Sequence, residues 1–171
     1  MDSTVALFSS SRRNGNTGQL MDRIARELKI EVIDLGKKNI TGYDYEHKNR
    51  GDDFKPLMEF LLGFKNLIFA SPVYWYAVSP PMKILLDRIS DYLVLPDLKN
   101  KGRQLRGKRA YVVCTSIQPV VSEIFIGAFR ETFQYLGMQF KGFIHVDCRE
   151  GYVETNCEKE IDKFVHGIAR N

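Results

Sequence analysis

Two hydrophobic periodicities alternate along this chain. Thr4-Val5-Ala6-Leu7-Phe8 is a continuous apolar run, the pattern of a strand buried on both faces. From Leu20 the apolar positions are Leu20, Met21, Ile24, Ala25 and Leu28, a single stripe at helical spacing. Asp22 and Arg26 fall four apart on its outer surface and read as a pair. Strand patterns recur at 30–35, 67–70, 110–114 and 138–146, the last with Gly142 and more alternation, as at a sheet edge. Between them lie a helix capped by Asp52 or Asp53 that buries Phe54, Leu57, Met58, Leu61 and Leu62, and one opened by Ser79-Pro80 that buries Met82, Leu85, Leu86, Ile89 and Leu93. A helix after Ser122 carries Phe125, Ala128, Phe129 and Leu136 and ends at Gly137, a left-handed stop. Thr155 and Glu158 have the spacing of a capping box for a last helix striped by Ile161, Phe164, Val165 and Ile168.

Five strands alternating with five amphipathic helices predict the α/β class: a doubly wound parallel sheet covered by helices on both faces. The 171 residues suffice for one sizeable core and are few for two, so residues 1–171 read as a single domain. In such sheets a ligand sits beyond the carboxyl ends of the strands. Three loops therefore define the expected site: 9–17, 71–78 and 115–121.

Composition narrows the partners. Twenty-five Lys and Arg against 21 Asp and Glu leave a net charge of +4, which gives no reason to expect nucleic-acid binding. Cys114, Cys148 and Cys157 contain no CxxC pair and cannot all pair within one chain, which suits a reducing, cytoplasmic setting. Met1-Asp2-Ser3 leads directly into the first apolar run with no basic leader, and no stretch approaches the roughly 20 apolar residues of a membrane span.

The first loop, Ser9-Ser10-Ser11-Arg12-Arg13-Asn14-Gly15-Asn16-Thr17, sets hydroxyls, amides, a glycine and two guanidinium groups before a helix N-terminus, where free N–H groups and the dipole favour an anion. It has neither the lysine of a GxxxxGK[ST] loop nor GxGxxG. It is similar to the Gly-Ser-Pro-Arg-x-x-Gly-Asn-Thr loop of the NADPH-dependent FMN reductase-like and iron–sulfur flavoprotein branches of the flavodoxin-like superfamily. The resemblance implies that Ser10, Arg12, Asn16 and Thr17 hold the FMN phosphate. Ser9 stands where that family usually has Gly, and Ser11 where it often has Pro.

Ser71-Pro72-Val73-Tyr74-Trp75 followed by Ser79, Met82, Lys83, Asp87 and Arg88 resembles the same family's Ser-Pro-Val-Tyr-Trp segment and Ser-x-x-Met-Lys-x-x-x-Asp-Arg helix. By that resemblance the backbone of Pro72, Val73, Tyr74, Trp75 and Tyr76 approaches the flavin ring, and Thr115, Ser116 and Gln118 complete the pocket. Relatives often carry glycines in that third loop, and this chain has none. The resemblance further implies a flavodoxin-like strand order 2-1-3-4-5 and a homodimer or tetramer. Asp87 and Arg88 read as a structural ion pair or intersubunit contact. His47, alone in the polar segment 36–51, reads as an exposed loop residue, and that segment holds no cysteine for an iron–sulfur cluster.

The expected function is an FMN-dependent oxidoreductase that takes electrons from NADPH or NADH and passes them to a small acceptor such as a quinone, an azo or nitro compound, a free flavin or a ferric chelate. A flavodoxin-type electron carrier and a flavin-free domain of the same fold are the alternatives. Flavodoxins are usually strongly acidic, so the charge of +4 favours the enzyme. The stretch Lys99 to Arg109 carries six basic residues and no acidic one; it reads as a solvated connection, or as a grip for a ribose phosphate across subunits.

Overall fold

The computed structural model describes residues 4–170; Met1, Asp2 and Ser3, on which the expectation about the leader partly rests, lie outside the described residues. The strands are β1 (Thr4–Phe8), β2 (Glu31–Asp34), β3 (Asn66–Pro72), β4 (Arg109–Ser116) and β5 (Gln139–Asp147). All pair in parallel in the order β2-β1-β3-β4-β5, the expected doubly wound topology. The helices are α1 (Asn16–Leu28), α2 (Phe54–Leu61), α3 (Pro80–Arg88), α4 (Asp91–Val94), α5 (Pro96–Gly102), α6 (Glu123–Tyr135) and α7 (Glu158–Ala169).

Strand alternation divides the core into two layers. Val5, Leu7, Leu67, Phe69, Ala110 and Val112 face α2, α3 and α6, while Ala6, Phe8, Ile68, Ala70, Tyr111 and Val113 face α1 and α7. Both layers are needed because β1, β3 and β4 are buried along nearly their whole length, as continuous apolar strands demand. β5 is an edge strand, as its Gly142 foretold, and a register shift against β4 occurs beside that glycine.

Several local expectations are corrected. The helix opened by Pro80 ends at Arg88, and its continuation is broken into α4 and α5, with Pro96 at the first position of α5. The Thr155–Glu158 capping box does not form: Thr155 lies in a 3-10 turn, Glu154–Asn156, and Cys157 precedes α7 without a side-chain cap. Asp22 pairs with Arg13 rather than Arg26, because the longer loop brings a guanidinium closer than the helix turn does. Ser122 caps α6 as expected, accepting from the Ile124 N–H at 3.2 Å, and Gly137 has φ +71°.

The basic stretch is neither a loop nor near the carboxyl ends. It spans α5 and a 3-10 turn and ends at Arg109, the first residue of β4, which puts it at the opposite end of the sheet. Lys101 pairs with Glu59, and Lys108 Nζ donates to the carbonyls of Leu62 and Phe64, capping the end of α2.

Arg88 and His47 also depart from expectation. Asp87 pairs with Lys83 one turn earlier. Arg88 is buried, donating to Asp52 at 2.5 Å and to Asp91 at 2.9 Å, with its guanidinium 4.6 Å from the Phe54 ring centroid. His47 is half-buried and its Nδ1 lies 2.9 Å from Asp91. Burial would raise the Asp52 carboxyl, but Arg88 and the Thr41 and Phe54 donors hold it below the usual range. This cluster ties segment 41–52 to the end of α3. Replacing Arg88 with Ala leaves two carboxylates buried without their cation and is expected to lower stability by about 3–5 kcal/mol in urea unfolding. A loss below about 1 kcal/mol, the size of an exposed ion pair, would show that the cluster carries little.

Candidate flavin site at the carboxyl ends of β1, β3 and β4

The three loops converge because buried hydroxyls tie their roots together. Ser9 Oγ lies 2.6 Å from Ser79 Oγ, the Ser79 hydroxyl also reaches the Ser9 carbonyl at 3.1 Å, and Ser71 Oγ accepts from the Ser79 N–H at 2.9 Å. Ser79 therefore spends its side chain on this knot and does not cap α3. Thr17 Oγ1 and Thr115 Oγ1, both buried, are 2.7 Å apart and join the start of α1 to β4.

The first loop leaves a mouth for an anion. Gly15 precedes α1 with extended backbone and no side-chain cap, so the first-turn N–H groups keep their donor capacity. Gly18 permits the loop to fold down on the helix: a Cβ there would sit 1.7 Å from the Arg13 carbonyl oxygen. Of the two arginines, Arg13 is committed. It forms a forked pair with Asp22 at 2.5 and 3.0 Å and lies 4.8 Å from the Phe8 ring centroid. Arg12 is exposed and has no salt-bridge partner among the described residues. Ser10 is half-buried and Asn16 stands at the first turn of α1.

The second loop reaches across to the first. The Ser11 N–H donates to the Tyr74 hydroxyl at 3.4 Å. Burial would raise the Tyr74 phenol, but bonds from Ser11 and Ser10 and the charge of Arg12 bring it below its ordinary value. Beyond it the chain turns tightly: Tyr74 and Ala77 exchange two backbone bonds of 2.9 Å, with Trp75 and Tyr76 between them at φ +47° and +64°. That is the geometry of a type I′ turn, here built without glycine. The Val73 N–H is spent on the Thr115 carbonyl at 3.0 Å and that of Tyr74 on Ala77, which leaves Trp75 and Tyr76 as the donors of the tip.

Between the second and third loops lies an open cleft of about 410 Å³, lined by Val73, Trp75, Tyr76, Ser116, Gln118 and residues of 117–122. Pro72 is buried at its root and Trp75 is 94% exposed at its rim. Of the sequence-predicted residues, Ser10, Arg12, Asn16 and Thr17 gather at the first loop, and Val73, Trp75, Tyr76, Ser116 and Gln118 around the cleft. Tyr74 bridges the two groups, and Thr115 is buried beneath them.

Sequence reasoning missed Gly18, the Ser9–Ser71–Ser79 knot and His145, whose Nε2 lies 2.8 Å from Ser116 Oγ. Gly18 follows the Asn16-Thr17 signature directly and was readable as a close approach; His145, 29 residues from Ser116, carries no local signal.

The family model for NADPH-dependent FMN reductase matches residues 3–143. The chain belongs to this family. It is 32% identical over 148 residues to the Bacillus subtilis protein YwqN, named as an NAD(P)H-dependent FMN-containing oxidoreductase, with 82% of each chain covered. Among solved structures it is similar to the Trp repressor binding protein of Bacillus subtilis, with a TM-score of 0.67, 27% identity and 82% of each chain covered. Two-electron reduced flavodoxin of Megasphaera elsdenii superposes over 98% of this chain and 99% of its own with a TM-score of 0.63 at 12% identity, a likeness of fold alone.

The residues of this member of the NADPH-dependent FMN reductase family fit the family's cofactor. An uncapped helix start, hydroxyls and a free guanidinium suit a dianionic phosphate, and the aromatic-walled cleft suits a flat ring. Gly18→Ala is expected to displace the first loop and lower stability by about 1–3 kcal/mol, read by thermal unfolding. An unchanged midpoint would mean that the loop relaxes freely and that the close approach is not a constraint.

Proposed function

We propose that the chain is a single-domain, cytoplasmic FMN-dependent oxidoreductase that accepts electrons from NADPH or NADH and delivers them to a small acceptor: a quinone, an azo or nitro compound, a free flavin or a ferric chelate. One observation carries this reading: the phosphate-type loop and the aromatic cleft lie side by side, joined by Tyr74 through its bond from Ser11. Ser10, Arg12, Asn16 and the N-terminus of α1 hold the phosphate. Val73, Trp75 and Tyr76 on one side, with Ser116 and Gln118 on the other, hold the ring. FMN, when bound, supplies the electron chemistry, and the chain supplies binding, orientation and electrostatics.

The N–H groups of Trp75 and Tyr76 provide donors fixed by the turn, and fixed donors cost no reorganisation when charge develops beside them. No acid–base triad is required of the protein. Three free, buried cysteines support a reducing compartment. Trp75, Tyr76, Ile117 and Val120 are exposed around the cleft mouth, and this apolar rim supports assembly into a homodimer or tetramer. The reading excludes a role for the basic stretch 99–109 in the same subunit's cleft.

Visible absorption of the purified protein, with added FMN and then NADPH or NADH without oxygen, tests the reading. Bound flavin that bleaches with a nicotinamide is expected; bound flavin that persists with both donors would indicate an electron carrier, and no binding would overturn the proposal. Arg12→Ala is expected to weaken FMN binding by roughly 10- to 100-fold, the loss of one or two charge-assisted bonds. Riboflavin binding, which involves no phosphate, should change little, and an equal loss for both ligands would remove Arg12 from the phosphate site.

A further inference from the structure

The cleft wall formed by β4 is backed by a histidine that the reading above does not use. Ser116, the last residue of β4, lines the cleft, and its Oγ lies 2.8 Å from Nε2 of His145 on the neighbouring strand β5. The same oxygen accepts from the Gln118 N–H at 3.1 Å. Ser116 has one proton to place, and where it goes is set by the imidazole. With Nε2 unprotonated, Ser116 donates to His145 and presents only lone pairs to the cleft. With Nε2 protonated, the imidazole and the Gln118 amide both donate to Oγ, and the serine hydrogen is released from His145 toward the cleft mouth, where the Gln118 carbonyl at 3.4 Å is the protein acceptor it competes with.

We propose that His145 is a positioning residue that, through Ser116, switches the β4 side of the cleft between a hydrogen-bond acceptor and a hydrogen-bond donor according to whether Nε2 holds a proton. This rests on the cleft being the flavin-ring site.

The surroundings leave the switch poised. Burial lowers the imidazole's proton affinity, and Asp147 two residues along the strand raises it. Asp147 is itself committed to Arg149 at 2.8 Å. On β4, Cys114 pairs in register with His145 and is pushed up to about 12 by burial, so it contributes no charge at neutral pH. α6, which packs on this face of the sheet, turns Phe125, Phe129 and Phe133 inward while its Glu123 and Arg130 pair with each other outside at 3.3 Å. On the α7 side, Glu160 and Lys163, of opposite charge, line with Lys141 and His145 a groove along the sheet edge. Burial, the larger influence, holds the proton affinity of His145 below its ordinary value, and negative charge placed beside Ser116 favours the arrangement in which Nε2 is protonated and donates. A ring held there that took up two electrons and one proton would keep one negative charge, and that charge would be coupled to uptake of a further proton from solvent at His145 Nε2.

The test follows the two-electron midpoint potential of the FMN-loaded protein against pH, together with a histidine carbon-13 NMR titration of the oxidised and reduced forms. Only three histidines are present, so His145→Gln assigns the signal by difference. In the native chain the His145 titration is expected to move to higher pH on reduction, and the potential curve to show an inflection across the same interval. His145→Gln, whose side-chain amide does not titrate, should lose the inflection. Ser116→Ala should lose the inflection while leaving the His145 titration nearly equal in the two redox states. Flavin bound normally with superimposable potential curves in all three proteins would overturn the inference while leaving the flavin site intact. Absence of bound flavin in the native chain would overturn the flavin reading and this inference with it.

Discussion

Three buried serine hydroxyls fix the geometry on which the site depends. A parallel sheet ends at its carboxyl edge in carbonyls and amides with no next strand residue to meet them, and the loops leaving that edge diverge unless something joins them. Ser9, Ser71 and Ser79 are almost wholly buried, and each such hydroxyl left unpaired costs about 1–3 kcal/mol. A made bond adds only about 1 kcal/mol net, so the knot matters less for stability than for uniqueness. The arrangement that satisfies all three also sets the end of β1 against the start of α3 across the end of β3. The Thr17–Thr115 bond repeats the device one strand further on. The phosphate-type loop and the cleft thus stand on anchored roots while their tips remain exposed.

The two adjacent arginines show how that anchoring sorts residues that look alike in sequence. Arg13 is drawn under the loop by Asp22 and the face of Phe8, and its charge is neutralised there. Arg12 stays exposed and adds its charge to the bonds from Ser11 and Ser10 that lower the Tyr74 phenol. One cation holds the loop's shape and the other supplies its field. With a net charge of only +4 over the chain, this local division, rather than the global charge, makes the mouth of α1 attractive to an anion.

What was legible in the sequence is what depends on periodicity. Val5 to Phe8 and the stripes of α1, α2, α6 and α7 announce themselves because burial on one or both faces imposes a repeat, and five such alternating units are too few to close a barrel and so form an open parallel sheet covered on both faces. The two flavin-type loops were legible because Arg12-x-x-Gly15-Asn16-Thr17 and Pro72-Val73-Tyr74-Trp75 are contiguous. Expectations failed where the deciding partner was distant in sequence. Thr155 has the spacing of a cap, yet the 3-10 turn in which it lies includes Glu154, whose carboxylate is held by Arg23 at 2.7 Å from 131 residues away. His47 looked exposed because it stands in a long polar segment; its partner is Asp91. Arg88 reads with Asp87 until Asp52 arrives from the far side of β3. Polar contacts between elements leave no periodic trace, and the Ser116–His145 bond belongs to the same class.

The turn at Trp75 and Tyr76 is the one place where local preference and fold disagree openly. Two consecutive non-glycine residues with positive φ cost of order 1–3 kcal/mol each. Asn-Gly or Gly-Gly would remove most of that strain. Nor does burial offset it within the chain, since Trp75 is almost fully exposed and Tyr76 more than half exposed. The two backbone bonds between Tyr74 and Ala77 hold the turn closed but would do the same for glycine. What glycine would lose is the pair of aromatic walls beside Val73, while the amides of Trp75 and Tyr76 would remain directed outward. The strain is therefore retained for the side chains rather than for the backbone. A rim whose apolar area is left uncovered in the single chain, on a turn that the chain itself does not prefer, has its compensation in whatever flat or apolar surface comes to lie against it.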